Sequence, residues 1–267
     1  MQKVITLYKK ISQTPLELLR SFQENSPEYK QAKMAYAGRL DPMAHGLMLY
    51  LVGNECKKRD KYQNLNKTYQ FDLILGIETD THDCLGMITN INPGQTKSVE
   101  QIRAVIAELP GEFEQEYPAF SSKTIDGIPM FQLAKEGRLK GQKIPSKKVR
   151  IKSAQIIDDS EVSSLELVNM VKERIESVSG EFRQQEIIEL WEKTFQNLDI
   201  KFKVYKIEIS AISGTYMRSI ADAIGKQLGT YAIAFDILRT KIDNYKLIDV
   251  ENYQDYLESY NGIFTHS

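Results

Sequence analysis

Asp41 stands in the stretch AGRLDPMAHG, between Leu40 and Pro42, with glycines at 38 and 46 on either side. Asp before Pro commonly initiates a turn. The same residues also describe a carboxylate held on a tight loop, where a nucleophile or a base can be positioned. Arg218, in SGTYMRS, falls in the first turn of a helix, the end at which the macrodipole disfavours a cation by roughly 0.3–1 kcal/mol. It either reaches solvent or meets an anion, and Asp41 is the candidate partner; the guanidinium would then orient the carboxylate and keep it ionised. In NKTYQFDL, Tyr69 begins a strand with Lys67 two residues before it. A strand tyrosine packs against its neighbours or offers its ring to a nucleobase. Residues 138–152, RLKGQKIPSKKVRIK, carry seven Lys or Arg, among them Lys147, Lys148 and Arg150, and no acid. Such a run is a solvated face or an arm that follows phosphates, and the missing acids favour the arm.

Other chemistries lack the residues they need. In TDTHDCLG the positions two and four after Asp80 are His82 and Cys84, so the oxygen-ligand alternation of a calcium loop fails. Cys56, Cys84 and three scattered histidines (His45, His82, His266) supply neither a disulfide framework nor a zinc site. No GxGxxG, P-loop or G-x-S-x-G is present. Lys and Arg number 35 against 36 Asp and Glu, which excludes a uniformly basic coat, so an anionic partner must meet a local patch. The opening MQKVITLYKK has no signal-peptide core and no apolar run approaches a membrane span, so a cytoplasmic location is expected.

The elements that position these residues follow from pattern. At 267 residues, 42% hydrophobic, the chain suits one large domain, or a domain with a small appendage. Val4 to Tyr8 is a short apolar segment. Thr14, Pro15 and Glu17 form a T-x-x-E start for a helix with Leu16, Leu19 and Phe22 inward. LMLYLVG (47–53) reads as a buried strand, Tyr69 to Ile77 as another, and Met87 to Ile91 as a shorter one in a hairpin. Ser98 and Gln101 cap IRAVIAEL, and a short helix is expected around Pro129 to Glu136. Residues 160–198 carry two amphipathic stripes, Leu165, Val168, Val171, Ile175 and Val178, then Ile187, Leu190, Trp191, Phe195 and Leu198. They predict a helical hairpin that packs on its own domain or docks another protein. Lys201 to Ala211 alternates as a strand, and Thr215 opens a helix with Met217, Ile220, Ile224 and Leu228 inward. The class is α+β, a mixed sheet flanked by helices.

In order, five segments resemble the TruB family of bacterial tRNA pseudouridine synthases, which isomerise the T-loop uridine. They are VITLYKKISQTPLELL, GRLDPMAHGLMLYLVG, KTYQFDLILGIETDTHDCLG, QEYPAFSSKTIDGIPMFQLAKEG and ISGTYMRSIADAIGKQLG, with a weaker ILRT after the last. The resemblance implies the pseudouridine synthase fold, with a largely antiparallel sheet. It implies a catalytic domain over 1–250 with an RNA-gripping insertion at about 117–150, and the hairpin at about 160–198 is then an insertion of this chain's own. A tail over 251–267 is then expected in place of the usual PUA domain. By position, Asp41 matches the catalytic aspartate, Tyr69 the tyrosine that stacks on the base, and Arg218 the arginine paired with the aspartate. Lys67 and Tyr216 match neighbouring substrate positions. Leu238 matches an apolar pocket residue, although Ile237-Leu238-Arg239-Thr240 in place of Leu-Arg-Arg allows a slip of one. Lys147, Lys148 and Arg150 fall where the family holds RNA.

The implied reaction breaks the bond from ribose C1′ to uracil N1, turns the base and rejoins C1′ to C5. It calls for no cofactor and no metal. The implied partner is the T-arm of tRNA, with no membrane and no obligate protein partner. Asp41 either adds to the base or acts at the ribose. Besides the tail expected in place of the PUA domain, two features depart from the family: Tyr36 stands where a histidine usually precedes the Leu-Asp-Pro, and residues 160–198 have no counterpart. A non-catalytic tRNA-binding or tRNA-folding protein on the same scaffold is the alternative.

Overall fold

The computed structural model describes residues 2–92, 97–250 and 253. β1 (Val4–Lys9), α1 (Pro15–Asn25), β2 (Met34–Ala37), β3 (Ala44–Val52) and α2 (Arg59–Gln63) are followed by β4 (Lys67–Leu75), β5 (Ile77–Thr79) and β6 (Ile88–Ile91). Next come α3 (Val99–Glu108), β7 (Gly111–Glu116), β8 (Thr124–Ile125), β9 (Ile128–Pro129), α4 (Met130–Lys135) and β10 (Ser146–Ser163). The hairpin α5 (Ser164–Glu176) and α6 (Gln184–Phe195) precedes β11 (Lys201–Ala211), α7 (Met217–Gln227), β12 (Ala232–Ile242) and β13 (Tyr245–Lys246).

Nine strands form one sheet in the order β1-β3-β12-β4-β11-β10-β7, with β2 added to β3 and β13 to β12. Every pairing is antiparallel except β12 with β3, where Ile237 lies opposite Ala44. The expected mixed, largely antiparallel sheet is therefore what forms. β5 and β6 pair as the hairpin read from their turn residues.

Alternation along the strands sends side chains to two layers. Phe71, Leu73 and Leu75 of β4 join Leu19, Ile102, Met217, Ile220 and Ile224, so α1, α3 and α7 cover one face. Ile74, Val204, Ile233 and Phe235 join Leu167, Val171, Ile187 and Trp191, so α5 and α6 cover part of the other face. The hairpin thus packs on its own domain.

Capping boxes close at Thr14 with Glu17, Ser98 with Gln101, and also Ser163 with Glu166. The last box starts α5 at Ser164 and sets its phase. Leu167, Val171 and Ile175, four apart, centre the inward stripe; Leu165, two residues before Leu167, lies on the far side and is 71% exposed. Leu16 and Leu198, expected inward, are likewise exposed, because α1 turns Leu19 to the core and Leu198 follows the end of α6. Residues 160–163 belong to β10 and not to the hairpin. The 251–267 tail lies outside the described residues except for Tyr253, which packs in the cluster of Tyr8, Leu47 and Leu247. No helix among the described residues is long and apolar enough to cross a membrane.

Candidate active site

The loop from β2 to β3 carries Asp41, and its turn closes through the Ala44 N–H donating to the Asp41 carbonyl at 3.0 Å. Leu40 packs into the layer of α1, α3 and α7, and Met43 into the layer of α5 and α6. Asp41 therefore lies at the seam between the two. Gly46, at φ +114, faces the backbone of Arg239, and a Cβ there would collide with the Arg239 carbonyl oxygen. Only glycine lets β12 approach this close. Lys9, wholly buried at the end of β1, ties the loop from inside: its Nζ donates to the Ala44, Lys10 and Asp41 carbonyls at 2.6, 3.1 and 3.3 Å. Burial pushes Lys9 down to about 7, with Asp41 acting in the opposite direction.

Arg218 is the second residue of α7 and is 4% exposed. Its Nε and Nη2 reach Asp41 Oδ2 at 2.9 and 2.8 Å. Nη1 donates to the Thr81 carbonyl at 2.9 Å, and Nη2 to the Phe120 carbonyl at 3.4 Å. A second carboxylate, Asp83, stands 3.5 Å from Nε. Burial alone would weaken the guanidinium, but Asp41 and Asp83 outweigh it and raise its pKa. The cation at a helix N-terminus is thus compensated by two acids. Burial pushes Asp83 up against the pull of Arg218 and of the Thr81 hydroxyl, which donates to its Oδ1 at 2.7 Å. Asp41 differs in exposure: its side chain is 38% accessible while its guanidinium partner is sealed. One clamped carboxylate faces outward.

From sequence, TDTHDCLG is a hairpin turn that fails as a calcium loop, and neither reading singles out Asp83. The signal that could have found it is Thr81 two residues before Asp83, a spacing that lets a hydroxyl bond a carboxylate in a turn.

The remaining candidates are placed unequally. Tyr216 caps α7, and its pKa is pushed up to about 12 by burial, then by Asp41, with Tyr69 and Tyr117 also contributing. Both rings are thus near enough to Tyr216 to act on its phenol. The Tyr117 ring meets Tyr216 edge-on at 5.9 Å, and the buried Gln115 amide bonds both the N–H and the carbonyl of Tyr216 at 2.9 and 3.3 Å. Tyr69 is half-buried on β4 against the α7 layer. Lys67 is buried and donates to the Gln63 and Leu65 carbonyls, both at 2.6 Å; burial pushes it down to about 7. Leu238 packs with Tyr8, Leu47 and Leu49, whereas Ile237 packs in the cluster that holds Tyr69 and Met217. Of the two, Ile237 is the one on the Tyr69 face. Tyr36 rests under Arg59, 5.7 Å from its ring centre.

Strand pairing recasts the basic run. Lys148 and Arg150 are exposed on β10, with Glu114 and Glu112 of β7 opposite them and Arg150 3.9 Å from Glu112. Lys147 donates to the Ser213 carbonyl at 2.9 Å, bracing the turn that leads into α7. A stretch free of acids in sequence is thus flanked by acids in space.

Residues 27–177, more than half of the chain, match the family described as TruB family pseudouridylate synthase (N terminal domain). The tRNA pseudouridine synthase B of Aquifex aeolicus is 30% identical over 232 residues, covering 87% of this chain and 66% of that protein. The same-named protein of Parabacteroides distasonis is 26% identical over 262 residues, covering 96% and 93%. A chain of a Cbf5-Nop10-Gar1 complex aligns with a TM-score of 0.56 at 15% identity, covering 91% of this chain and 49% of that one, a likeness of fold. The family match over more than half of the chain shows that it belongs to the TruB family of pseudouridylate synthases.

Proposed function

We propose that this protein isomerises a uridine in the T-loop of tRNA to pseudouridine. The observation that carries the reading is the Asp41 carboxylate, held at 2.8–2.9 Å by a buried Arg218 yet open on its outer side. A uridine within a folded loop must first leave its stack, at a cost of a few kcal/mol. Tyr69 offsets this by receiving the exposed ring, a contact worth roughly 1–3 kcal/mol. Asp41 then starts the chemistry, by adding to the base or by acting at the ribose to give a glycal-type intermediate as the C1′–N1 bond breaks. In either route Arg218 keeps the carboxylate aimed, with Asp83 and two backbone carbonyls fixing the plane of the guanidinium. Tyr216, its pKa pushed up to about 12, stays a neutral phenol at working pH and supplies a wall without competing charge. Lys148 and Arg150 lie exposed on β10 to meet phosphates.

The test incubates purified protein with an unmodified tRNA transcript and maps pseudouridine for wild type and Asp41→Asn. Product at the T-loop from wild type alone is expected. Equal product from both would remove Asp41 as the catalyst, and tight binding without product would favour the binding-protein alternative.

A further inference from the structure

The reaction proposed above makes no use of the α5–α6 hairpin, yet the contacts of the hairpin fall on the segments that hold Arg218. Trp191, wholly buried in α6, donates its indole N–H to the Gly86 carbonyl at 3.1 Å. At the head of α6, Arg183 takes left-handed backbone at φ +59, uncommon for a residue with a side chain. Its Nη1 donates to Asp80 Oδ2 at 2.8 Å, and its guanidinium lies 4.7 Å from the centre of the Phe120 ring. Lys135 of α4 ties the same loop a second time, donating to the Glu181 carbonyl at 2.5 Å.

These contacts converge on one neighbour. Arg218 draws its backbone acceptors from Thr81 and Phe120, and its second carboxylate from Asp83. Thr81 and Asp83 lie between Asp80 and Gly86, so the hairpin grips both ends of their turn, through Arg183 and Trp191. Phe120 lies under the same Arg183 guanidinium. One side chain therefore touches both segments that supply acceptors to Arg218. The side chains of the Arg183–Asp80 pair are 25% and 26% exposed, and an ion pair so open to water adds little to stability. Its value is geometric.

We propose that Arg183 is a positioning residue for the Asp41–Arg218 pair, and that the hairpin is the scaffold that holds it in place. The inference rests on the reading of Asp41 as the group that starts the reaction. With Arg183 in place the 80–86 turn and the Phe120 carbonyl keep a set separation, which allows the Arg218 guanidinium one orientation. Without it the acceptors drift and Asp41 loses its aim.

The experiment uses the full-length protein and an unmodified tRNA transcript, comparing wild type, Arg183→Gln and Arg183→Lys. Single-turnover rate at saturating protein, tRNA affinity across a salt series, and amide hydrogen exchange of the tRNA-free protein are measured. The Gln variant is expected to lose rate on the order of 10- to 100-fold, as small misplacements of reacting groups do, with unchanged affinity and salt slope. Its amides at 80–86 should exchange faster while α5 and α6 stay protected. Lys keeps the ion pair but not the planar stack, so it should recover part of the rate. Full rate in the Gln variant overturns the proposal. So does weaker binding with a flatter salt slope, which would make Arg183 a phosphate ligand, and so does loss of protection in α5 and α6, which would make it purely structural. A wild type inactive on tRNA would refute the T-loop reading instead, and the exchange data would still decide whether Arg183 holds the turn around Arg218.

Discussion

Two buried arginines each bind a carboxylate in this fold, and only one of the two clusters is open. Arg218 reaches Asp41 at 2.8 Å with side-chain exposures of 4% and 38%. Arg174 of α5 reaches Asp236 of β12 at 2.6 Å with both side chains 8% exposed. Around Asp236 the sealing continues: His45 Nε2 lies 3.0 Å from its other oxygen, and the Tyr8 hydroxyl lies 2.7 Å from His45 Nδ1. Burial works against Asp236, but His45 and Arg174 outweigh it and hold the carboxyl well below the usual range. Its cross-strand neighbour Asp72 is driven the other way, up to about 7, by burial and then by Asp236 itself. The same pairing of guanidinium and carboxylate serves both clusters. Reachability separates them: the Asp41 cluster leaves its carboxylate open to the outside, where the proposed reaction needs it, while the Asp236 cluster uses its charges to join the hairpin to the sheet.

The sharpest way to break this contrast is to neutralise each carboxylate partner in turn. Asp41→Asn should lower turnover on the order of 10³-fold, measured by pseudouridine formation on tRNA, while the thermal midpoint moves little because Asp83 still faces Arg218. Arg174→Met should do the reverse, destabilising the fold by about 3–5 kcal/mol in urea unfolding because buried Asp236 loses its guanidinium partner. A small loss there would mean that His45 and the other contacts of Asp236 compensate the acid. A titration sharpens the picture further. The Asp72 carboxyl is raised in the folded state, so the native protein binds more protons than the unfolded chain between about pH 4 and about 7, and stability falls as pH rises through that window. Asp72→Asn should flatten the fall, on the order of a kcal/mol for each pKa unit displaced, and parallel midpoint-against-pH curves for the two proteins would contradict it. The smallest expected effect concerns approach to the open cluster. Reversing Lys148 and Arg150 to Glu should lower the salt slope of tRNA binding by about 0.7–0.9 for each phosphate that is no longer neutralised. Lys147→Met should leave that slope alone, since its ammonium is committed to Ser213.

Several of these residues are legible one segment at a time. The unfavourable position of Arg218 at a helix start calls for an anion, and the partner proves to be Asp41, 177 residues away. Thr14 with Glu17 and Ser98 with Gln101 announce two helices, and the Gly-bounded run at 47–53 announces the buried strand. Asp83 is hidden because its turn residues explain themselves locally; nothing near it in the chain shows that a guanidinium arrives from α7. Leu238 and Ile237 cannot be ranked, because adjacent strand residues differ only in which face they meet. The basic run at 138–152 looks uniformly cationic until β7 lays Glu112 and Glu114 beside it.

The sequence by itself determined what depends on residues within a turn or two of one another: caps, strand runs, the Asp-Pro turn, and the chemical types available to a site. Only the tertiary structure decided which acids share a guanidinium, which lysines are committed to carbonyls, and that Arg183 bridges Asp80 and Phe120. The reason is range. Backbone preference and capping act over about four residues, whereas charge compensation and burial act through space, between segments that the chain order leaves far apart.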